Sequence, residues 1–197
     1  MKGGAAHSRA LRPPNQDQYF TMRLHQLKLD YIPEHDRLLL RVSTDNQFEV
    51  RLWLTRRALR LLWPLLVQMV RASPEVALQS NPQARDALVG MQHEQALSRA
   101  DFTRAFEEAP REMPLGAEPI LVARIQSNRD DSGNQVLGLL PQQGQGIHLT
   151  LDNTLLHSFC KLVQNAVAKS DWDIVLELPA LPSSLGAGDA AAPKTIN

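Results

Sequence analysis

Residues 37–70, RLLLRVSTDNQFEVRLWLTRRALRLLWPLLVQMV, align without a gap with residues 134–167, NQVLGLLPQQGQGIHLTLDNTLLHSFCKLVQNAV. Apolar residues meet apolar residues at ten or more positions of this alignment, for example Leu52 opposite Leu149. Few residues are identical, but both stretches show alternating strand patterns followed by a helical pattern. The sequence therefore predicts an internal repeat.

The first unit of this repeat spans residues 22–73. Alternating apolar residues such as Leu27 and Tyr31 predict strands that are separated by turn residues. The predicted strands are 24–32, 38–42 and 48–54. Thr55 then occupies the N-cap position of a helix that we expect to end near Ala72. The unit is therefore predicted to be a three-stranded antiparallel meander followed by one long helix.

The second unit spans residues 119–178 and repeats this order. The predicted strands are 120–126, 136–140 and 147–151. Asp152 takes the place of Thr55 as the N-cap of a helix that we expect to end near Lys169, and a final short strand over 173–178 is expected to join a sheet. The predicted fold class is α+β, with two antiparallel meanders, each followed by a long helix, and a helical insertion between the copies.

The insertion, here called the connector, spans residues 74–118. A helix is predicted from Asn81 through Ala109. Its expected apolar contacts are Leu88, Met91, Phe102 and Phe106. Residues 1–21 and 179–197 lack an apolar pattern that could offset the entropy of ordering, and we expect them to be flexible tails.

Composition excludes several classes of protein. The 21 basic and 21 acidic residues give a formal net charge of zero, which argues against a protein that coats nucleic acid by charge alone. The single cysteine excludes an internal disulfide framework and a multi-cysteine metal site. Because no apolar run is long enough for a signal peptide or a membrane span, we expect a cytoplasmic protein with no membrane partner, metal or cofactor.

The neutral total hides an uneven distribution of charge. The first unit carries nine basic and five acidic residues, whereas the connector carries eight acidic and four basic residues. Period-two alternation puts Arg51 and Trp53 on the face of the third strand that is turned away from the core. An exposed Trp among Arg and Lys is typical of proteins that bind single-stranded nucleic acid, because bases stack on the ring and cations meet phosphates.

Two more arginines, Arg56 and Arg57, follow the helix cap, where the helix dipole already favours an anion. The candidate ligand-binding residues are Lys28, Arg37, Arg41, Arg51, Trp53, Arg56 and Arg57. The alternative interpretation is a solvated basic face with Trp53 under the connector, and with the two helix arginines neutralised by the connector's acidic residues.

The helix predicted over residues 56–72 is apolar around most of its circumference, and Pro64 is expected to bend it. A helix that packs on one sheet needs an apolar face of only about 100°. We therefore expect this helix to pack on a second element as well. That element is either the helix of the second unit or a second copy of the chain, which would give a homodimer through helix 56–72.

Cys160 and His157 lie three residues apart on the second helix, a spacing that can place a thiol beside a base. Cys160, however, aligns with Trp63 on the apolar side, and no third group that would orient the histidine is identifiable. The remaining histidines lack the spacing of metal ligands. The sequence therefore predicts no catalytic residue and a non-enzymatic binding module.

The predicted topology looks like that of the single-strand-binding Whirly and PUR-type proteins, and one unit looks like the export chaperone SecB. Those folds have four strands before the helix, where this sequence shows three, and none of their diagnostic motifs is present. Two functions stay open. One is binding of single-stranded nucleic acid or another polyanion through the sheet face. The other is a protein-binding adaptor, scaffold or chaperone whose basic half meets an acidic partner or its own connector.

Overall fold

The computed structural model describes residues 19–21 and 24–179, so most of both predicted tails lies outside the described residues. It has an α+β architecture, as predicted. The strands are β1 (Tyr19–Thr21), β2 (Leu24–Ile32), β3 (Arg37–Thr44), β4 (Glu49–Leu54), β5 (Ile120–Leu121), β6 (Arg124–Arg129), β7 (Gln135–Leu140) and β8 (Gly146–Leu151). The helices are α1 (Arg56–Arg71), α2 (Pro74–Ala77), α3 (Pro82–Arg99) and α4 (Asn153–Val167), and a 3₁₀ turn covers Pro33–His35.

Both predicted meanders are confirmed, and each belongs to a four-stranded sheet. The first sheet has the order β2-β3-β4-β5, in which β2, β3 and β4 are antiparallel and β5 is parallel to β4. The second sheet has the order β6-β7-β8-β1, in which β1 is parallel to β8. Strand β1 lies within residues 1–21, which were expected to be a tail.

The fourth strand of each sheet comes from the chain segment that leads into the other meander. In the segment that leads into the second meander, the Val122 amide donates to the Trp53 carbonyl at 3.0 Å, and the Ala123 amide donates to the Leu140 carbonyl at 2.8 Å. The chain thus leaves the first sheet and enters the second within two residues. The single strand predicted over residues 120–126 is therefore wrong, because this segment forms two strands in two different sheets.

Side-chain caps begin both long helices, as the sequence predicted. Thr55 Oγ1 accepts from the Ala58 amide at 3.1 Å, and Asp152 Oδ1 accepts from the Leu155 amide at 2.8 Å. Each helix packs against the first strand of the other meander, α1 on β6 and α4 on β2, and the two helices also touch each other. The result is one hydrophobic core that is shared by both units.

Elements of the same chain cover most of the apolar surface of α1. Its buried residues are Ala58, Leu59, Leu62, Trp63, Leu66, Met69 and Val70. Leu61, at 51% exposure, faces solvent, so a homodimer through this helix stays a prediction. Neither α1 nor any other helix in the described ranges has the length and apolar composition needed to cross a bilayer.

Helix α3 is shorter than predicted, because it ends at Arg99 rather than Ala109. The Asp101 carboxylate accepts from the amides of Thr103 and Arg104, and this local turn competes with continuation of the helix. The prediction that Met91 and Phe102 make apolar contacts from this helix is wrong, because both side chains are exposed. Helix α3 instead packs on α4 and buries Val89 and Ala96, while Leu88 packs at the edge of the core.

The strand predicted over residues 173–178 is wrong. Ile174, Leu176 and Leu178 do pack on the core, but the segment joins no sheet. The carbonyl of Leu176 accepts from the side chain of Gln164 on α4, which replaces a strand partner. The buried Trp172 holds the start of this segment by donating from Nε1 to Asp36 in the turn after β2.

Adjacent leucines on α1 provide a matched test of the shared core. Leu62 is fully buried and Leu61 is half exposed. We expect Leu62→Ala to lower the free energy of unfolding by about 2–5 kcal/mol, and Leu61→Ala by less than about 1 kcal/mol. Chemical denaturation followed by circular dichroism measures both losses, and similar losses in the two variants would contradict this packing.

Candidate functional site

The outer face of the first sheet carries a row of three cations, here called the cation row. Lys28 on β2 lies opposite Arg41 on β3, and Arg41 lies opposite Arg51 on β4. Neighbouring strands are about 4.8 Å apart, so the three side chains share one surface. Arg51 lies on the face that is turned away from the core, as alternation predicts, because Val50 and Leu52, its neighbours along β4, point into the core.

A buried carboxylate lies beside this row. Glu49 is 2% exposed, and it accepts from Arg41 Nε at 2.8 Å, Arg41 Nη2 at 3.0 Å and Arg51 Nε at 2.7 Å. Arg111 of the connector, itself 4% exposed, lies 3.9 Å from Glu49. Burial opposes ionisation of Glu49, but the hydrogen bonds from Arg41 and Arg51 hold its pKa below the usual value. Glu49 is therefore the counter-ion around which the arginines are arranged.

The connector covers part of the cation row. Glu108 accepts from Arg41 Nη1 at 2.7 Å and from Arg41 Nη2 at 2.8 Å, and it lies 3.8 Å from Lys28 Nζ. The Phe106 ring lies 4.4 Å from the Arg41 guanidinium carbon. The hydrogen bond to Arg41 lowers the pKa of Glu108 and keeps it ionised. The connector's acidic residues thus compensate two cations of the predicted site.

Trp53 lies one step along β4 from Arg51, on the same outer face. It is paired with Leu39 on one side and Leu121 on the other, and its ring centroid is 5.0 Å from that of His35. Trp53 is partly exposed, and Leu121 retains 45% exposure. This end of the sheet face therefore presents an accessible aromatic and aliphatic surface.

The remaining predicted residues separate into three situations. Arg37 is partly buried on β3 and forms no ion pair within the described residues. Arg56 donates to the carbonyl of Asp171 at 3.2 Å, so it is turned toward the segment after α4. Arg57 is exposed, also without an ion pair in the described part of the chain. Within the described residues, no hydrogen bond or ion pair joins Arg56 or Arg57 to the cation row or to an acidic residue of the connector, so the alternative interpretation that connector acids neutralise them is not what the structure shows.

Sequence reasoning missed two residues of this site. Neither Glu49 nor Arg111 is among the candidate ligand-binding residues that the sequence predicts. The sequence does contain a signal for Glu49. It is an acidic residue two positions before Arg51 on the same strand face, and the neighbouring strand carries the basic residue Arg41. Arg111 carries no such signal, because the pairing of Phe48 with Glu112 that brings it to β4 is a tertiary contact.

The Cys160 and His157 pair lies in the core between α4 and its neighbours. Burial raises the pKa of the Cys160 thiol to about 12 and, with the nearby His93, lowers the pKa of His157 to about 4. The two groups are therefore neutral near pH 7, which is not the charge state of an activated thiolate. His157 Nδ1 lies 3.3 Å from His93 Nδ1 on α3, so it bridges the two helices. Among the described residues, no group of three or more His, Cys, Asp or Glu could hold a metal ion.

No protein-family model, curated protein or solved structure matches this chain. The function must therefore be inferred from the residues and their geometry.

Replacing the buried counter-ion tests the arginine arrangement. We expect Glu49→Gln to lower the free energy of unfolding by about 3 kcal/mol or more, because three arginines lose their shared negative charge. The matched control is Glu108→Gln. Its side chain is 62% exposed, and the expected loss is below about 1 kcal/mol. Equal losses in urea denaturation would show that Glu49 is not the central counter-ion.

The buried histidine predicts a pH dependence of stability. The pKa of His157 is about 4 in the fold and about 6.5 in an unfolded chain. Between these values the unfolded chain binds more protons, so the free energy of unfolding falls as the pH is lowered from about 6.5 toward 4. We expect His157→Leu to flatten this part of the denaturation profile. An unaltered slope in His157→Leu contradicts this assignment.

Proposed function

We propose that the protein is a non-enzymatic binding module that holds single-stranded nucleic acid, or another extended polyanion, on the outer face of the first sheet. The observation that carries this proposal is the pair of contacts that the Arg41 side chain makes with the connector. Its guanidinium binds a carboxylate with two hydrogen bonds and packs on an aromatic ring at the same time. Anion binding combined with stacking on flat rings is the chemistry that single strands require.

The spacing of the face also suits an extended strand. Two residues of a β-strand advance about 6.6 Å, so Trp53 lies about this distance from the cation row. A base stacked on Trp53 would leave its phosphates within reach of Arg51 and Arg41. Arg37, one step beyond Leu39 on β3, adds a cation on the other side of the tryptophan. The aromatic surface thus lies between cations.

A second candidate function is supported by the chemistry of the group now bound to Arg41. That group is a polypeptide segment, Phe106-Glu107-Glu108, rather than a nucleotide. An adaptor or chaperone whose partner presents an aromatic residue next to acidic residues would use the same contacts. The two candidates differ in what reaches Trp53, because a base stacks flat on the ring whereas an acidic peptide needs only the cations.

We also infer that the two units arose by duplication of a β-β-β-α unit. Leu40 pairs with Leu52 in the first meander, and Leu137 pairs with Leu149 in the second, so both pairs differ by the same 97 positions as the sequence alignment. The N-cap residues Thr55 and Asp152 have this offset too. Identical register between the second and third strands of both units supports a common origin.

Oligonucleotide titration tests the binding proposal. We expect a fluorescent oligothymidylate to bind at about 50 mM salt and to dissociate markedly at about 200 mM, because phosphate contacts release counter-ions. Trp53→Ala is expected to weaken binding about tenfold, since stacking contributes about 1–3 kcal/mol per base. Fluorescence anisotropy measures both effects.

The conservative variant Trp53→Phe is the matched control, because it keeps a flat ring and is expected to retain most of the binding. Equal affinity of the wild type and Trp53→Ala would contradict stacking and favour the acidic-peptide adaptor. Affinity that does not change with salt would contradict recognition of phosphates.

A further inference from the structure

We propose that residues 101–108 form an autoinhibitory latch that occupies the cation row as a mimic of the polyanionic ligand. This inference rests on the proposed function and concerns the regulation of the same site. The latch places Phe106 where a base would stack on Arg41 and places the Glu108 carboxylate where a phosphate would bind. A ligand strand and the latch therefore compete for the same donors.

The latch changes the charge that the face presents. Without it, Lys28, Arg41, Arg51 and Arg111 outnumber the two nearby acidic residues Asp30 and Glu49. The latch carries three acidic residues, Asp101, Glu107 and Glu108, and one basic residue, Arg104, which pairs with Glu107 at 2.5 Å. It therefore adds two net negative charges to the face, with Glu107 lying 3.5 Å from Arg111 and 3.4 Å from His25. The covered face is therefore compensated, whereas the uncovered face is positive and attracts polyanions.

The contacts of the latch are ones that a ligand can displace. Glu107 and Glu108 remain 44% and 62% exposed, and ion pairs at such exposure contribute about 1 kcal/mol or less. Two side chains hold the backbone of the latch. Gln26 donates to the Ala105 carbonyl at 3.4 Å and accepts from the Glu107 amide at 3.0 Å, and Arg111 donates to the Glu107 carbonyl at 2.8 Å, a bond that release of the latch has to break. A groove of about 610 Å³ separates the latch from β2 and α4. Phe102 lines this groove and stays 43% exposed.

The chain after the latch is fixed, so release need not disturb the sheet. The Glu49 amide donates to the Glu112 carbonyl at 2.9 Å, and the Glu112 amide donates to the Gln47 carbonyl at 3.1 Å. Arg111 is buried against Glu49. Residues 111–112 thus form an anchor. The latch can leave Arg41 while Glu49 keeps the arginine in place.

Removing the carboxylates of the latch tests its role. We expect the double variant Glu107→Gln/Glu108→Gln of the full chain to bind the fluorescent oligothymidylate about tenfold more tightly than the wild type at the same salt concentration, because two competing carboxylates are lost. Phe106→Ser is a second variant that weakens the latch without changing the charge, and we expect it to tighten binding as well. Circular dichroism checks that both variants remain folded.

The matched control is Glu94→Gln/Glu177→Gln, which makes the same change in net charge. Both of these residues are exposed, and neither forms an ion pair with the cation row in the described part of the chain. We expect this control to bind no more than about twofold more tightly than the wild type. It changes only the long-range electrostatic potential of the protein, which salt screens.

The outcomes separate the latch from the proposed function. Tighter binding by the latch variants than by the control supports both. Binding by the wild type that the latch variants do not improve beyond the control overturns the latch and leaves the function standing. If neither the wild type nor any latch variant binds at low salt, the proposed function itself is wrong.

Discussion

The two units exchange strands and helices, and this exchange sets the path of the connector and the shape of the core. Each sheet takes its fourth strand from the segment that leads into the other meander, and each long helix packs on the first strand of the other sheet. The apolar surface of one unit is therefore covered by the other, and neither half has a complete core of its own. The direct crossing at Val122 and Ala123 brings the connector onto the first sheet before the second meander begins.

This path explains why the connector meets the basic face. Strand β5 pairs with β4, and Glu112 pairs with Phe48 just before β4, so the last part of the connector must run along the edge of the first sheet. Arg111 is thereby delivered to the buried Glu49, whose single charge serves three arginines. Since a buried carboxylate is costly without partners, Glu49 in turn fixes the orientation of Arg41 toward the connector.

The basic face combines a rigid part with a part that is weakly held. Glu49, Arg41 and Arg111 are mostly buried and keep the guanidinium groups oriented, whereas Glu107 and Glu108 remain largely exposed. Oriented donors lower the cost of binding an anion, because little side-chain freedom is lost on binding. A site of this kind suits a ligand whose anionic groups replace the Glu107 and Glu108 carboxylates. Trp53, at the border of the site, provides an additional surface that these carboxylates do not contact.

The local elements follow from the sequence alone. Alternation predicted β2 and the two meanders, and Thr55 and Asp152 marked the start of both long helices, because strand periodicity and N-capping depend on neighbouring residues alone. It also identified the face that carries Lys28, Arg41, Arg51 and Trp53. Tertiary contacts, in contrast, divide residues 120–126 between two sheets, pack the segment after Trp172 on α4 without strand pairing, and bring Glu107 and Glu108 onto the cation row. These features depend on contacts between residues far apart in the chain, which no local pattern encodes.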